Sequence, residues 1–144
     1  MTQGRDALRD DVLALLRRFQ DGYSARDVKA LDGFMQLFAD GAELVGTSGV
    51  TAGGEEWCLG LGAIRELVRK DWEEWGDVLL DLDRATIHVR EETAWAAVPG
   101  VVRERGEKAA LRLTVALVRD ERRWLIHQAH FSLATRDGRV VRTG

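Results

Sequence analysis

An α+β fold, with three N-terminal helices packed in a curved antiparallel sheet, is the class this sequence predicts. Apolar residues recur every three or four positions through the first third of the chain, which is the period of a helix buried on one side. From Asp77 onward the period drops to two, as in strands. Between the long strands lie short polar turns, GEK (residues 106–108) and DER (residues 120–122), so neighbours should pair antiparallel.

Leu8, Val12, Leu15, Leu16, Phe19 and Tyr23 form the apolar stripe of the first helix. Asp27 is placed to cap a second helix, in which Val28, Leu31, Phe34, Met35 and Phe38 repeat the stripe and Gly41 is the stop. AELV (residues 42–45) suits a short strand. The glycines of GTSGVTAGGEEW (residues 46–57) predict a long loop. Ala63 to Trp75 read as a third helix, with Ile64, Leu67, Val68, Asp71 and Trp75 on one side and Gly76 after it. DVLLDLD and ATIHVRE look like one strand broken by a bulge near Arg84, because the apolar set moves from even to odd positions. TAWAAVPGVVRER, KAALRLTVALVRD and RRWLIHQAHFSLAT follow as three long strands. Pro99, inside the first of them, implies an edge or a bulge.

The bulk numbers narrow the function. At 144 residues the chain fits one domain, residues 1–144, large enough for a core without disulfides or metals. Its net charge is −3, with 21 basic and 24 acidic residues interspersed and no basic stripe, so nucleic acid is not the expected partner. The N-terminus lacks an uninterrupted apolar stretch, which argues against a signal peptide or membrane anchor. Cys58, the single cysteine, suits a reducing compartment, and a cytoplasmic address is expected. On a strand His127 and His130 face opposite ways and cannot share a metal unless a bulge intervenes, so neither a metal nor a cofactor is expected.

LLRRFQDGYSARDVKALDGFMQLFAD followed by a strand, LGAIRELVRKDWEEWG and the closing WLIHQAHFS resemble the nuclear transport factor 2-like superfamily, also called SnoaL-like or cystatin-like. GT (Gly46, Thr47), EEW (Glu55 to Trp57), the AIR beginning at Ala63, TAWA (Thr93 to Ala96) and RLT (Arg112 to Thr114) are similar to a bacterial SnoaL-like branch. That branch is itself similar to the association domain of calmodulin-dependent kinase II. The resemblance covers nearly the whole chain and rests on the order and spacing of its segments. It implies a cone: a curved antiparallel sheet around helices, a pocket between them, and often dimers through the outer sheet face. Ketosteroid isomerase, polyketide cyclases, dehydratases and inert assembly modules share that fold, so the resemblance implies a fold more firmly than a reaction.

Set beside ketosteroid isomerase, the match implies that Trp95, Ala97, Arg112, Thr114, His127 and Phe131 point into the cone. Trp124, Ile126, Gln128, His130 and Ser132 would then line an outer face that joins two copies. The apolar row Leu125, His127, Ala129, Phe131 and Leu133 agrees for part of that strand. The isomerase's tyrosine, base and acid fall on Phe19, Gly46 and Thr114 here, so all three roles are missing and steroid isomerisation is not expected. His127 is then the candidate general acid or base, against the alternative of a satisfied core histidine. Arg112 either pairs with a carboxylate (Asp71, Asp81 or Asp83) or awaits an anion. Phe19, Tyr23, Trp57, Trp95, Arg112, Thr114 and Phe131 make up the expected ligand-binding set. Trp57, at the end of the glycine-rich loop, would cover the mouth, with Glu55 and Glu56 as possible acid or base groups beside it.

Three readings follow. One is a homodimer binding a small, mostly apolar molecule, with or without an anionic group facing Arg112. Another is a cyclase, isomerase or dehydratase using His127. The last is an assembly module that acts through its outer face.

Overall fold

The computed structural model describes the backbone of residues 2–136 and 139–140 and the side chains of residues 4–135. The first helix, α1, spans Thr2–Ala25. Its predicted stripe is buried: Val12, Leu16 and Phe19 are fully enclosed, and Leu15 and Tyr23 nearly so. Arg26, in the left-handed region at φ 52°, ends it. Asp27 then caps a 3-10 turn, Val28–Ala30, by accepting from the Lys29 amide.

The second helix is shorter than its spacing predicts. α2 covers only Leu31–Met35, and Phe38 already belongs to strand β1, Phe38–Val45. Leu37, Phe38 and Ala39 are buried in succession, which a one-sided helix cannot achieve and a strand covered on both faces can. β1 runs parallel to the last long strand, and the Ile126 amide donates to Leu37 O at 2.8 Å. Gly41 therefore does not stop a helix. At φ 77° it lies where β1 slips register against that strand, between Phe38 and Glu43.

The glycine-rich segment closes with a strand too short to show a period, β2 (Trp57–Leu59), antiparallel to β1. α3, Leu61–Glu74, buries Ile64, Leu67, Val68 and Trp72. Gly76 follows at a close approach, since a Cβ there would lie 2.2 Å from Arg103 O. β3 (Asp77–Leu80), a 3-10 turn (Leu82–Arg84) and β4 (Thr86–Arg90) replace the expected bulged strand, and both strands pair with β5, Thr93–Glu104. Pro99 falls in the gap between these two partners, where its missing N–H costs nothing.

β6 (Glu107–Asp120) and β7 (Arg123–Leu133) complete a seven-stranded sheet in the order β2-β1-β7-β6-β5-β3, with β4 also on β5. The turns are two-residue hairpins with both residues at positive φ: Arg105 and Gly106, then Glu121 and Arg122. A short pair, β8 (Thr135–Arg136) and β9 (Arg139–Val140), follows. Among the described residues no helix is long and apolar enough to cross a membrane.

The sheet has one apolar face. Ala94, Ala96 and Val98 of β5, and Leu111, Leu113, Val115 and Leu117 of β6, are buried in the core with the helices. On β7 the rule is interrupted. Ala116 pairs with Gln128 but Leu117 pairs with Ile126, so His127 is an extra residue, a β-bulge. Trp124 and Ile126 face the core before it, and Ala129 and Phe131 after it.

Candidate functional site

That bulge overturns part of the expected site. His127 is exposed and looks away from the core. His130 is exposed as well, so the two histidines do not face opposite ways. Arg112, Thr114 and Trp95 also lie outside. They alternate with the aliphatic rows of β5 and β6, and burying those rows leaves a guanidinium on the wet side, where it needs no counter-charge. There Arg112 Nε donates to Ser132 Oγ at 3.0 Å instead of meeting Asp71, Asp81 or Asp83. Thr114 pairs with His130, and Trp95 stacks on His88 with ring centroids 5.5 Å apart. Trp57 is outside too: it pairs with Val45 and donates from Nε1 to Glu43 at 3.1 Å. Of the expected outer set, Gln128 and His130 are exposed and Ser132 is half-buried. Trp124 and Ile126 belong to the core at 4% and 0% exposure.

Phe19, Tyr23 and Phe131 are buried and form one aromatic cluster, of which Phe131 lines the pocket above it. Phe19 stacks on Tyr23 with centroids 5.2 Å apart, while Phe131 lies 5.8 Å from Phe19 and 5.5 Å from Tyr23. Above this cluster a pocket of about 290 Å³ opens between α3, the start of the glycine-rich loop and the β5–β6 turn. Phe131, Leu67 and Trp75 supply its apolar wall, and Glu56 and Asp71 are its half-buried carboxyls.

Asp71 is the chemically distinctive group. Burial pushes its carboxyl up from 3.8 to about 7, and the charge of Glu56 acts in the same direction. The hydroxyl of Tyr23, donating to Asp71 Oδ2 at 3.0 Å, opposes the rise, as do Lys70 and Arg26. Tyr23 is held well above its ordinary value, by burial first and by Asp71 second, so its hydroxyl keeps its proton and remains a donor. Arg26 fixes the carboxyl's end of α3, donating from Nε to Trp72 O at 2.9 Å and from a terminal nitrogen to Asp71 O at 3.2 Å. Cys58 is buried and its thiol is raised, by burial and then by Asp71 and Glu56, which keeps it a poor nucleophile.

Glu56 is positioned by the loop. It takes positive φ (56°), its carbonyl accepts from the Gly46 amide at 2.6 Å, and its carboxylate accepts from Ser48 Oγ. A Cβ at Gly46 would sit 2.5 Å from Glu56 Oε1, so the glycine makes room for the carboxylate.

A phenol and a carboxyl do meet in the fold, though not at Phe19, Gly46 or Thr114. Tyr23 lies one helical turn beyond Phe19, and Asp71 comes from α3. The sequence carried the signal for Asp71: a carboxylate within the apolar side of a helix, beside Leu67, Val68 and Trp75. Among the described residues no group of three or more histidines, cysteines or carboxylates is placed to share a metal.

Residues 12–136 match the SnoaL-like domain family. Among proteins of curated function, none is detectably similar in sequence. Solved structures are similar over most of the chain. An NTF2-like protein of unknown function from Pseudomonas putida has a TM-score of 0.78 at 16% identity, covering 96% of each chain. A proposed dehydratase of the NTF2-like family from Streptomyces avermitilis has a TM-score of 0.76 at 12% identity, covering 91% of this chain and 99% of that one. A Nostoc punctiforme protein of unknown function with a cystatin-like fold has a TM-score of 0.68 at 14% identity, covering 86% of this chain and 89% of that one. The chain belongs to the SnoaL-like domain family and has its NTF2-like, cystatin-like fold.

Proposed function

We propose that the protein moves protons on a small, mostly apolar molecule held in the pocket, with Asp71 in the acid–base role expected of His127. The observation that carries this reading is the Tyr23–Asp71 hydrogen bond of 3.0 Å, with Asp71 lining a pocket walled in part by Phe131 and Trp75. A carboxyl titrating near pH 7 accepts and returns a proton with little penalty in either direction. Tyr23 orients it, and Phe131, Leu67 and Trp75 wall the pocket beside it. Isomerisation, dehydration and cyclisation are the reaction types such a single shuttle serves. The dehydratase proposed for the Streptomyces avermitilis neighbour is in keeping with that class. An anionic group facing Arg112 drops out of the reading, because Arg112 lies on the other side of the sheet.

A test needs no known substrate. Hydrogen–deuterium exchange at the carbon next to the carbonyl of small cyclic and aryl ketones, followed by proton NMR, reads the proton transfer directly. The wild type should exceed buffer catalysis, and Asp71→Asn should lose about 100-fold or more of that excess. Exchange that survives the substitution would remove Asp71 from the role.

The protein works as a homodimer in this reading, through the outer sheet face. Two observations support it. Trp95 and Leu59 are 47% and 53% exposed in one cross-strand row on that face, and Ala116 and the hydrogen-bonded Gln128 and Glu43 lie between them.

A further inference from the structure

Resting on the reading of this pocket as the functional site, we infer that its ligand carries an amine or ammonium group on an apolar body, with Glu56 as the counter-charge. The carboxyls that line the pocket are Glu56, Asp71, Glu74 and Glu104, and the cations are Lys70 and Arg105. The two kinds are not at the same depth. Lys70, Arg105, Glu74 and Glu104 are exposed at the rim, where water screens them, whereas Glu56 and Asp71 are half-buried beneath it. The enclosed part of the pocket therefore holds carboxyls and apolar side chains but no cation.

An anion entering it would shed water beside Glu56 with no enclosed cation to receive it. An ammonium would find Glu56 on one side and an aromatic wall on the other. The half-buried indole of Trp75 lines the pocket and meets Phe131 edge-on, with centroids 5.6 Å apart and planes at 74°. A carboxylate beside aromatic rings is the chemistry that recognises alkylammonium groups. Glu56 is also held in readiness for that role. Ser48 donates to one of its oxygens, and Gly46 leaves space at the other. The apolar body of the ligand then lies on Leu67 and Phe131, within reach of the Tyr23–Asp71 pair.

Three probes of nearly equal shape separate the possibilities: 2-phenylethylamine, 2-phenylethanol and 3-phenylpropionate, titrated into the protein at pH 7 by calorimetry. The amine should bind about tenfold more tightly than the alcohol, and the carboxylate most weakly. Glu56→Gln should weaken the amine about tenfold and the alcohol by no more than about twofold. Gly46→Ala, which leaves the carboxylate in the chain but displaces it, should reduce the preference in the same direction. Equal affinity for amine and alcohol in the wild type, a preference untouched by Glu56→Gln, or no binding of any probe would each overturn the inference. Ketone exchange that still depends on Asp71 would show that only the ligand's charge had been misjudged, and loss of that dependence would instead remove the proton-transfer reading.

Discussion

In the unfolded chain the carboxyl of Asp71 ionises near 3.8, and in the fold burial raises it to about 7. Between those values the folded protein keeps a proton that the unfolded chain has lost, so this residue makes stability fall as pH rises, and the penalty is complete above pH 7. Asp71→Asn keeps an acceptor for the Tyr23 hydroxyl and removes the ionisation. The variant should exceed the wild type in stability at pH 8 by about 1–3 kcal/mol, a range that allows for the water still reaching the carboxyl. The gap should close towards pH 4. Urea unfolding of both proteins at pH 5 and pH 8 measures it, and identical gaps at the two pH values would contradict the assignment. Tyr23→Phe acts oppositely on the titration. Its hydroxyl favours the ionised carboxyl, so losing it should move the pH midpoint of ketone exchange upward. A midpoint that stays in place or falls would show that the hydrogen bond does not govern Asp71.

At the scale of elements, the site depends on how α3 ends. The last carbonyls of a helix lack a full set of partners within it, and here the guanidinium of Arg26 collects those of Trp72 and Trp75, shares that of Asp71 with the Trp75 amide, and pairs with Asp77 at 2.9 Å. One side chain from the end of α1 thus closes α3 and holds the backbone of the proposed acid–base residue. Arg26→Ala should cost about 1–3 kcal/mol, because half-buried carbonyls lose a charged donor. It should also raise the Asp71 midpoint, since Arg26 favours the ionised carboxyl. Thermal unfolding and the exchange profile measure the two effects. A loss of stability with no shift in the profile would leave Arg26 a purely structural cap. In β7 the single bulged residue, His127, has the larger consequence for the fold. It lets Trp124 and Ile126 share the core with Ala129 and Phe131, which strict alternation forbids.

For the whole molecule, the sheet separates the proposed proton-transfer pocket from the proposed dimer face. Its inner face packs against α1 and α3 and ends in the acidic pocket, and its outer face bears Leu59 and Trp95, with Ala116 paired to Trp95. Trp124→Glu, which suits an outer-facing tryptophan, would here place a charge in the core and unfold the protein. Ala116→Arg probes the outer face without that damage, since Ala116 is exposed. Light scattering after gel filtration should give a dimer for the wild type and a monomer for the variant, with unfolding unchanged at low concentration. A monomeric wild type would refute the dimer.

The class of fold was legible from local pattern. The stripe from Val12 to Tyr23, the change to period two at Asp77 and the two polar hairpin turns depend on neighbours along the chain, and all reappear in the structure. Asp71 and Tyr23 were each visible on an apolar helix side, but nothing local joins residues 48 positions apart. Which way a strand's side chains point is likewise decided by tertiary packing. One inserted residue reverses the alternation, and the cost of burying Arg112 against the gain from burying Leu111 and Leu113 selects the face only once helices lie against the sheet. The same holds for the acidity of Asp71, a property of the water that folding removes from around it.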